Sequence, residues 1–231
     1  MTEFKGVTAP LYEELVKSNQ HILIAGTTGS GKSTLMNGMI NSILYENVNN
    51  HALVLCDVKM VEFSKYENTT HCLRLATTPE EVEQTLKGVL NMMEYRKLDM
   101  KERGITKYDQ TIVHLFIDEL ADLVLTSRKA TNLLQRICQL GRALGVQVIA
   151  ATQCPLASVI PTRIKVNFPI TIGLHTVTAQ HSRNILEVDG CEELPMYGEA
   201  LIRYPSRGIQ KTKVPLIPKD MINEVIEFDR K

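Results

Sequence analysis

Residues 21–34 read His21-Ile22-Leu23-Ile24-Ala25-Gly26-Thr27-Thr28-Gly29-Ser30-Gly31-Lys32-Ser33-Thr34. The apolar run before Gly26 predicts a short buried parallel strand. Beyond the stretch, Leu35, Met36, Met39, Ile40, Ile43 and Leu44 recur at helical spacing. The pattern G-x-x-x-x-G-K-S from Gly26 to Ser33 therefore lies between a strand and a helix, the context in which it cradles phosphates. Its glycines let successive backbone N–H groups turn inward, and the following helix adds its partly positive N-terminus. Lys32 can reach β- and γ-phosphates, and the Ser33 hydroxyl can ligate Mg²⁺. The reading is a nucleoside triphosphate site spanning Gly26–Thr34, with ATP and Mg²⁺ as its cofactors. A glycine-rich turn with a surface lysine is the bland alternative, and it gives no reason for the flanking strand and helix.

Further along, Ala52–Cys56 reads as a second buried strand that closes a β-α-β unit. Thr78 caps a long helix that runs to Arg103, with Pro79 at its first position and acids in its first turn. Thr111–Ile117 is an apolar strand, Lys129–Leu144 a helix, and Val146–Ala151 another strand. Before the loop, Pro10 opens a short helical stretch over Leu11–Lys17. After these come strands at Ile170–Leu174 and Glu199–Tyr204, a hairpin partner at Gly208–Val214, and a closing helix at Asp220–Phe228. Alternating strands and helices predict an α/β fold, a mostly parallel sheet with helices on both faces. With no repeat or linker in view, residues 1–231 read as one domain, with a lead-in at 1–20 and a C-terminal helix within 219–231.

Composition sets outer bounds. The 231 residues are 44% hydrophobic and 23% charged, values typical of a globular protein. Twenty-six basic side chains balance twenty-six acidic ones, so the overall charge gives nucleic-acid binding no support. The five cysteines (Cys56, Cys72, Cys138, Cys154, Cys191) form no zinc-finger spacing, which predicts a reduced, cytoplasmic interior. No apolar stretch approaches the roughly 20 residues that span a bilayer, and residues 1–5 do not open a signal peptide. No membrane insertion is expected.

Two further positions carry chemistry. Asp118-Glu119 follows the strand ending at Ile117, at the strand end where ligands sit in parallel sheets. Asp118 can hold a magnesium hydration shell, and Glu119 can orient or deprotonate an attacking water. The same pair could instead cap the next helix. Gln153 ends the strand after, placed to sense the γ-phosphate or position water, or simply to satisfy backbone groups at a polar strand end.

Six segments resemble, in order, the motor core of the FtsK/SpoIIIE DNA translocases, RecA-like P-loop ATPases of the HerA-related branch. They are AGTTGSGKS (Ala25–Ser33), DVKMVEFSKYE (Asp57–Glu67), FIDELADL (Phe116–Leu123), GRALGVQVIAATQCP (Gly141–Pro155), IKVNFP (Ile164–Pro169) and HSRNIL (His181–Leu186). The resemblance runs from about His21 to Pro218. It implies ATP-driven movement of double-stranded DNA through a ring of identical subunits, usually six. Arg142 matches the family's arginine finger, in the helix after the acidic pair, and would complete a neighbouring subunit's site. Without the resemblance it is equally a surface arginine at a helix end. Ser182-Arg183 falls in another family motif that acts between subunits. Arg163 and Lys165 fall in the segment implicated in contacting DNA phosphates without base specificity. A solvated lysine is the competing reading of Lys165.

The sequence also departs from the family. Val58 replaces a proline, Cys154 stands where the family has arginine, and the region before the Thr111 strand is short. No segment matches the family's membrane, α or winged-helix parts. These features suit a compact motor of a mobile element or phage, recruited by another protein. They also keep open protein cargo, or a nucleotide-dependent assembly module.

Overall fold

A computed structural model describes residues 9–46, 50–153, 156 and 159–230. The strands are β1 (Ile22–Ala25), β2 (His51–Cys56), β3 (Cys72–Ala76), β4 (Ile112–Ile117), β5 (Val146–Thr152), β6 (Ile170–Gly173), β7 (Glu199–Tyr204) and β8 (Gly208–Lys213). The helices are α1 (Pro10–Lys17), α2 (Lys32–Glu46), α3 (Pro79–Arg103), α4 (Leu120–Thr126), α5 (Arg128–Leu140), α6 (Thr162–Lys165), α7 (Ala179–Leu186) and α8 (Lys219–Asp229). All eight strands join one sheet in the order β3-β2-β4-β5-β1-β6-β7-β8. Pairing is parallel from β3 through β6 and antiparallel for β6–β7 and β7–β8.

The central strands are apolar throughout because both faces are covered. Successive side chains alternate between two cores. Ile22, Ile24, Leu53, Leu55 and Phe116 join α1, α2 and α8 on one face. Leu23, Val54, Leu115, Val148 and Ala150 join α3, α4 and α5 on the other. Helix α3 begins as expected: Thr78 accepts a hydrogen bond from the Glu81 N–H, and Glu81 reaches back to the Thr77 N–H at 2.8 Å. Gly104, at φ 67°, ends it in the left-handed conformation.

Two buried polar clusters pin the strand ends opposite the loop. Arg96 of α3 donates to the carbonyls of Leu144, Gly145 and Thr111 at 2.8–2.9 Å, with its guanidinium 4.2 Å from the Tyr108 ring centre. Across β2, β4 and β5, His51 Nδ1 lies 2.7 Å from His114 Nε2, and His114 Nδ1 lies 2.7 Å from Gln147 Oε1. The Gln147 amide nitrogen donates to the carbonyls of Leu15 and Gln20, so its oxygen is an acceptor. His114 Nδ1 must therefore carry the proton, and His51 Nδ1 must donate to His114 Nε2. Burial, with His51 nearby, pushes the His114 imidazole down to about 3, so it is neutral at ordinary pH.

Three expectations are corrected. The helix foreseen over Lys129–Leu144 is α5, which begins at Arg128 and stops at Leu140, four residues short of the expected end. Ser127 ends α4 and caps α5 by accepting from the Ala130 N–H at 3.0 Å. Strand β3 and helices α4, α6 and α7 were not foreseen. Arg142 consequently lies in the turn after α5, not within a helix. Among the described residues no helix is long and apolar enough to cross a membrane.

Candidate functional site

The quoted stretch folds as its spacing implies: β1, a tight loop, then α2 beginning at Lys32. Gly29 and Gly31 sit at φ 78° and 102°, conformations that residues with a Cβ rarely adopt. Gly26 is required for a different reason. A Cβ there would lie 2.5 Å from Ser30 Oγ and 2.8 Å from Leu174 Cβ. The Ser30 hydroxyl is buried inside the loop without a hydrogen-bond partner, and an orphaned donor in such a cradle fits a phosphate oxygen. Lys32 is buried and donates to the carbonyls of Gly26 and Thr27, each at 2.8 Å. Burial lowers its proton affinity, while Glu119, Asp118 and Glu62 oppose that with their charge. Thr34 is half-buried in the first turn of α2.

Two strand ends bring the acidic and amide groups to the loop. Asp118 and Glu119 follow β4, and Gln153 follows β5, the strand beside β1. Gln153 links them: its side-chain Oε1 accepts from Thr28 Oγ1 at 2.7 Å, and its N–H donates to the Glu119 carboxylate at 3.2–3.3 Å. Glu119 also accepts from the Ala121 N–H at 3.3 Å and so caps α4. The capping and site readings of this residue hold together. Asp118 is pushed up to about 6 by burial first, then by Asp57, Glu62 and Glu119, with Lys59 opposing. A cavity of about 150 Å³, lined in part by Cys56, Val82 and Leu123, adjoins Asp118.

The Asp57–Glu67 segment supplies groups to which the sequence reading gave no role. Buried Asp57 ends β2 as Asp118 ends β4, and its carboxylate accepts from the N–H groups of Val61, Glu62 and Phe63 at 2.8–3.3 Å. The resulting turn places Glu62 Oε1 2.6 Å from Ser33 Oγ. Tyr66 donates to Asn37 Oδ1 at 2.6 Å, and Asn37 donates to the Ser33 carbonyl at 2.8 Å, fixing the helix turn that carries Ser33. An acid directly after an apolar strand was the available signal for Asp57. Nothing in the spacing alone points to Glu62.

Among the described residues no three His, Cys, Asp or Glu side chains form a dedicated metal cage. Ser33, Glu62 and Asp118 nonetheless offer hard oxygen donors, the set that suits Mg²⁺ held partly by water and phosphate. The remaining predicted residues lie elsewhere. Arg142 is exposed in the turn after α5, beyond the strand ends opposite the loop. Burial holds the neighbouring His21 imidazole down at about 4, and the Arg142 charge pushes the same way. Arg163 is exposed on α6, whereas Lys165 donates to the Asn184 carbonyl and is half-buried. Ser182 is buried and bonds to the Val188 carbonyl, and Arg183 pairs with Asp189. Cys154 lies outside the described residues.

The FtsK/SpoIIIE family model matches residues 2–115. A DNA translocase FtsK of Helicobacter pylori is 37% identical over 92% of this chain and 27% of its own length. The chain thus spans about a quarter of that relative. Among solved structures, the pCW3 conjugation coupling protein TcpA, in monomer form with ATPγS, matches with TM-score 0.79 and 23% identity over 92% of this chain and 66% of that one. The cytoplasmic domain of the Thermomonospora curvata Type VII secretion ATPase EccC matches with TM-score 0.79 and 22% identity over 90% of this chain and 27% of that one. With its loop, acidic strand end and sheet order in place, the chain belongs to the FtsK/SpoIIIE family.

Proposed function

We propose that the chain is a P-loop ATPase that drives double-stranded DNA through a ring of identical subunits, six as the family resemblance implies, without reading base sequence. The observation that carries this reading is the convergence of Lys32, Ser33, Asp118, Glu119 and Gln153 around one loop, in a chain 37% identical to a DNA translocase. Backbone N–H groups of Gly26–Thr34 and the Lys32 ammonium bind the phosphates. Ser33, and Asp118 through water, would hold Mg²⁺, which neutralises charge on the phosphates. Glu119 orients and deprotonates the attacking water, and Gln153 senses the γ-phosphate from the same side. Arg142, exposed in the turn after α5, would complete a neighbouring subunit's site, as the family resemblance implies. Arg163, together with Lys165 once it leaves the Asn184 carbonyl, supplies phosphate contacts. The setting is the cytoplasm, with a further protein recruiting the motor.

The test is ATP turnover with and without duplex DNA. Stimulation by DNA in the parent and its loss in Lys32→Ala are expected. Turnover indifferent to DNA, with no DNA shift on a gel in the presence of an ATP analogue, overturns the cargo assignment. The likeness to a Type VII secretion ATPase and the balanced charge favour protein as the second cargo. Binding of candidate partner proteins in place of DNA would select it.

A further inference from the structure

We infer that Met196 and Tyr197 form the surface on which the nucleotide's purine base rests. This rests on reading Gly26–Ser33 as a triphosphate loop. The order of strands at that edge is β4, β5, β1, β6, β7. Asp118, Glu119 and Gln153 stand on the β4–β5 side, and Gln153 holds Thr28 from there. The terminal phosphate must face that side to meet Glu119. The nucleoside end of the ligand therefore leaves across the β6–β7 side.

On that side a specific arrangement adjoins the loop. The His175 carbonyl, after β6, accepts from the Thr27 N–H at 3.0 Å and from Thr27 Oγ1 at 3.2 Å. The His175 ring donates through Nδ1 to the Leu194 carbonyl at 2.7 Å, since a carbonyl can only accept. Leu194 and Cys191 are buried in a small apolar cluster with Ile185 and Leu186. The turn before β7 is thus tied to the phosphate loop and anchored in the fold. Immediately after this anchor the chain presents Met196, 47% exposed, and Tyr197, 72% exposed. Met196 Sδ lies 4.0 Å from Thr27 Oγ1, so Met196 stands at the rim of the loop, with the exposed Tyr197 next to it in the chain.

An exposed aromatic ring by itself needs no explanation. A thioether at the edge of a phosphate loop, followed at once in the chain by an exposed phenol ring, is different. Both stack on the π-face of a base, and a tethered backbone keeps the cost of ordering them low. The occupant that follows is a purine, whose two fused rings can cover both side chains.

The chain has no tryptophan, so Tyr197→Trp introduces a single reporter at the proposed contact. Its emission should change on adding ADP or ATP with Mg²⁺ and stay constant with inorganic tripolyphosphate. In equilibrium dialysis the double variant Met196→Ala/Tyr197→Ala should bind ATP about 10- to 100-fold more weakly than the parent. Its affinity for tripolyphosphate should be unchanged, and Tyr197→Phe should bind ATP like the parent. Unchanged ATP affinity in the double variant, or equal emission changes with ADP and tripolyphosphate, overturns the base site alone. Equal weakening of ATP and tripolyphosphate overturns it too, because the segment then acts on the loop and not on the base. A parent protein that binds neither ATP nor tripolyphosphate overturns the loop reading and, with it, this one.

Discussion

Consider Asp118→Asn in the protein without nucleotide. Burial, Asp57, Glu62 and Glu119 together raise the Asp118 carboxyl from the ordinary 3.8 to about 6. Each tenfold displacement is worth about 1.4 kcal/mol, so holding Asp118 ionised in the folded chain costs about 3 kcal/mol relative to the unfolded one. The sign follows from proton counting. Between about pH 4 and pH 6 the folded chain keeps a proton that the unfolded chain has lost, so this contribution lowers stability as pH rises and is constant above pH 6. Asparagine cannot ionise and escapes the penalty. The variant should exceed the parent by about 1–3 kcal/mol at pH 7.5, the lower end reflecting the amide's own desolvation. For a chain of this size that is a melting shift of a few degrees to about 10 °C. The gap should close toward pH 4. Urea unfolding at pH 4.5, 6 and 7.5 measures it. Equal stability at pH 7.5, or a gap that persists in acid, would refute the electrostatic account. The gain should come with loss of Mg²⁺-dependent ATP turnover, the usual exchange of function for stability at a charged site.

Glu119→Gln should retain nucleotide binding and the α4 cap, since the amide oxygen still accepts from Ala121 N–H, while single-turnover hydrolysis slows roughly 10²–10⁴-fold. Gly26→Ala should abolish ATP binding in dialysis, because its Cβ would meet Ser30 Oγ at 2.5 Å and Leu174 Cβ at 2.8 Å. Arg96→Met strips three carbonyls of a charged donor and should cost about 3 kcal/mol or more in urea unfolding. Arg142→Ala mixed with Lys32→Ala should recover part of the ATP turnover that each lacks alone. Mixed assemblies that form yet stay inactive would count against action on a neighbour.

The elements legible from sequence are those whose signals are local. The β1–loop–α2 unit shows through glycine spacing beside a hydrophobic helix, and the start of α3 shows through Thr78, Pro79 and its acids. Strand β3 escaped because it lies at the sheet edge, where Leu73 and Arg74 face solvent and no apolar run marks it. Beyond Leu140 the sequence Gly141-Arg142-Ala143-Leu144 still reads as helix. There the Gly141 carbonyl accepts from the N–H groups of Leu144 and Val146 and turns the chain into β5, and a Cβ at Gly141 would lie 2.7 Å from the Ile137 carbonyl oxygen and 3.0 Å from that of Val146. That contact joins two elements, which no local spacing encodes. The site divides along the same line. Lys32, Ser33, Asp118, Glu119 and Gln153 were named from motif and strand end, whereas Glu62 meets Ser33 only through the turn that Asp57 organises. Likewise Met196 reaches Thr27 only through tertiary packing.

The chain from His51 through His114 to Gln147 has a consequence for how this sequence can drift. Each member has its donor and acceptor roles assigned by the next, ending at the Leu15 and Gln20 carbonyls. Changing one residue alone strands a buried polar atom on its neighbour, whereas an apolar replacement of all three removes these donors and acceptors together and leaves the Leu15 carbonyl its bond from Ser18 Oγ at 2.7 Å. The three positions therefore share one mutational fate although 96 residues separate the first from the last. Related sequences should keep the trio or replace it together, so that single steps between the two states are rarely found.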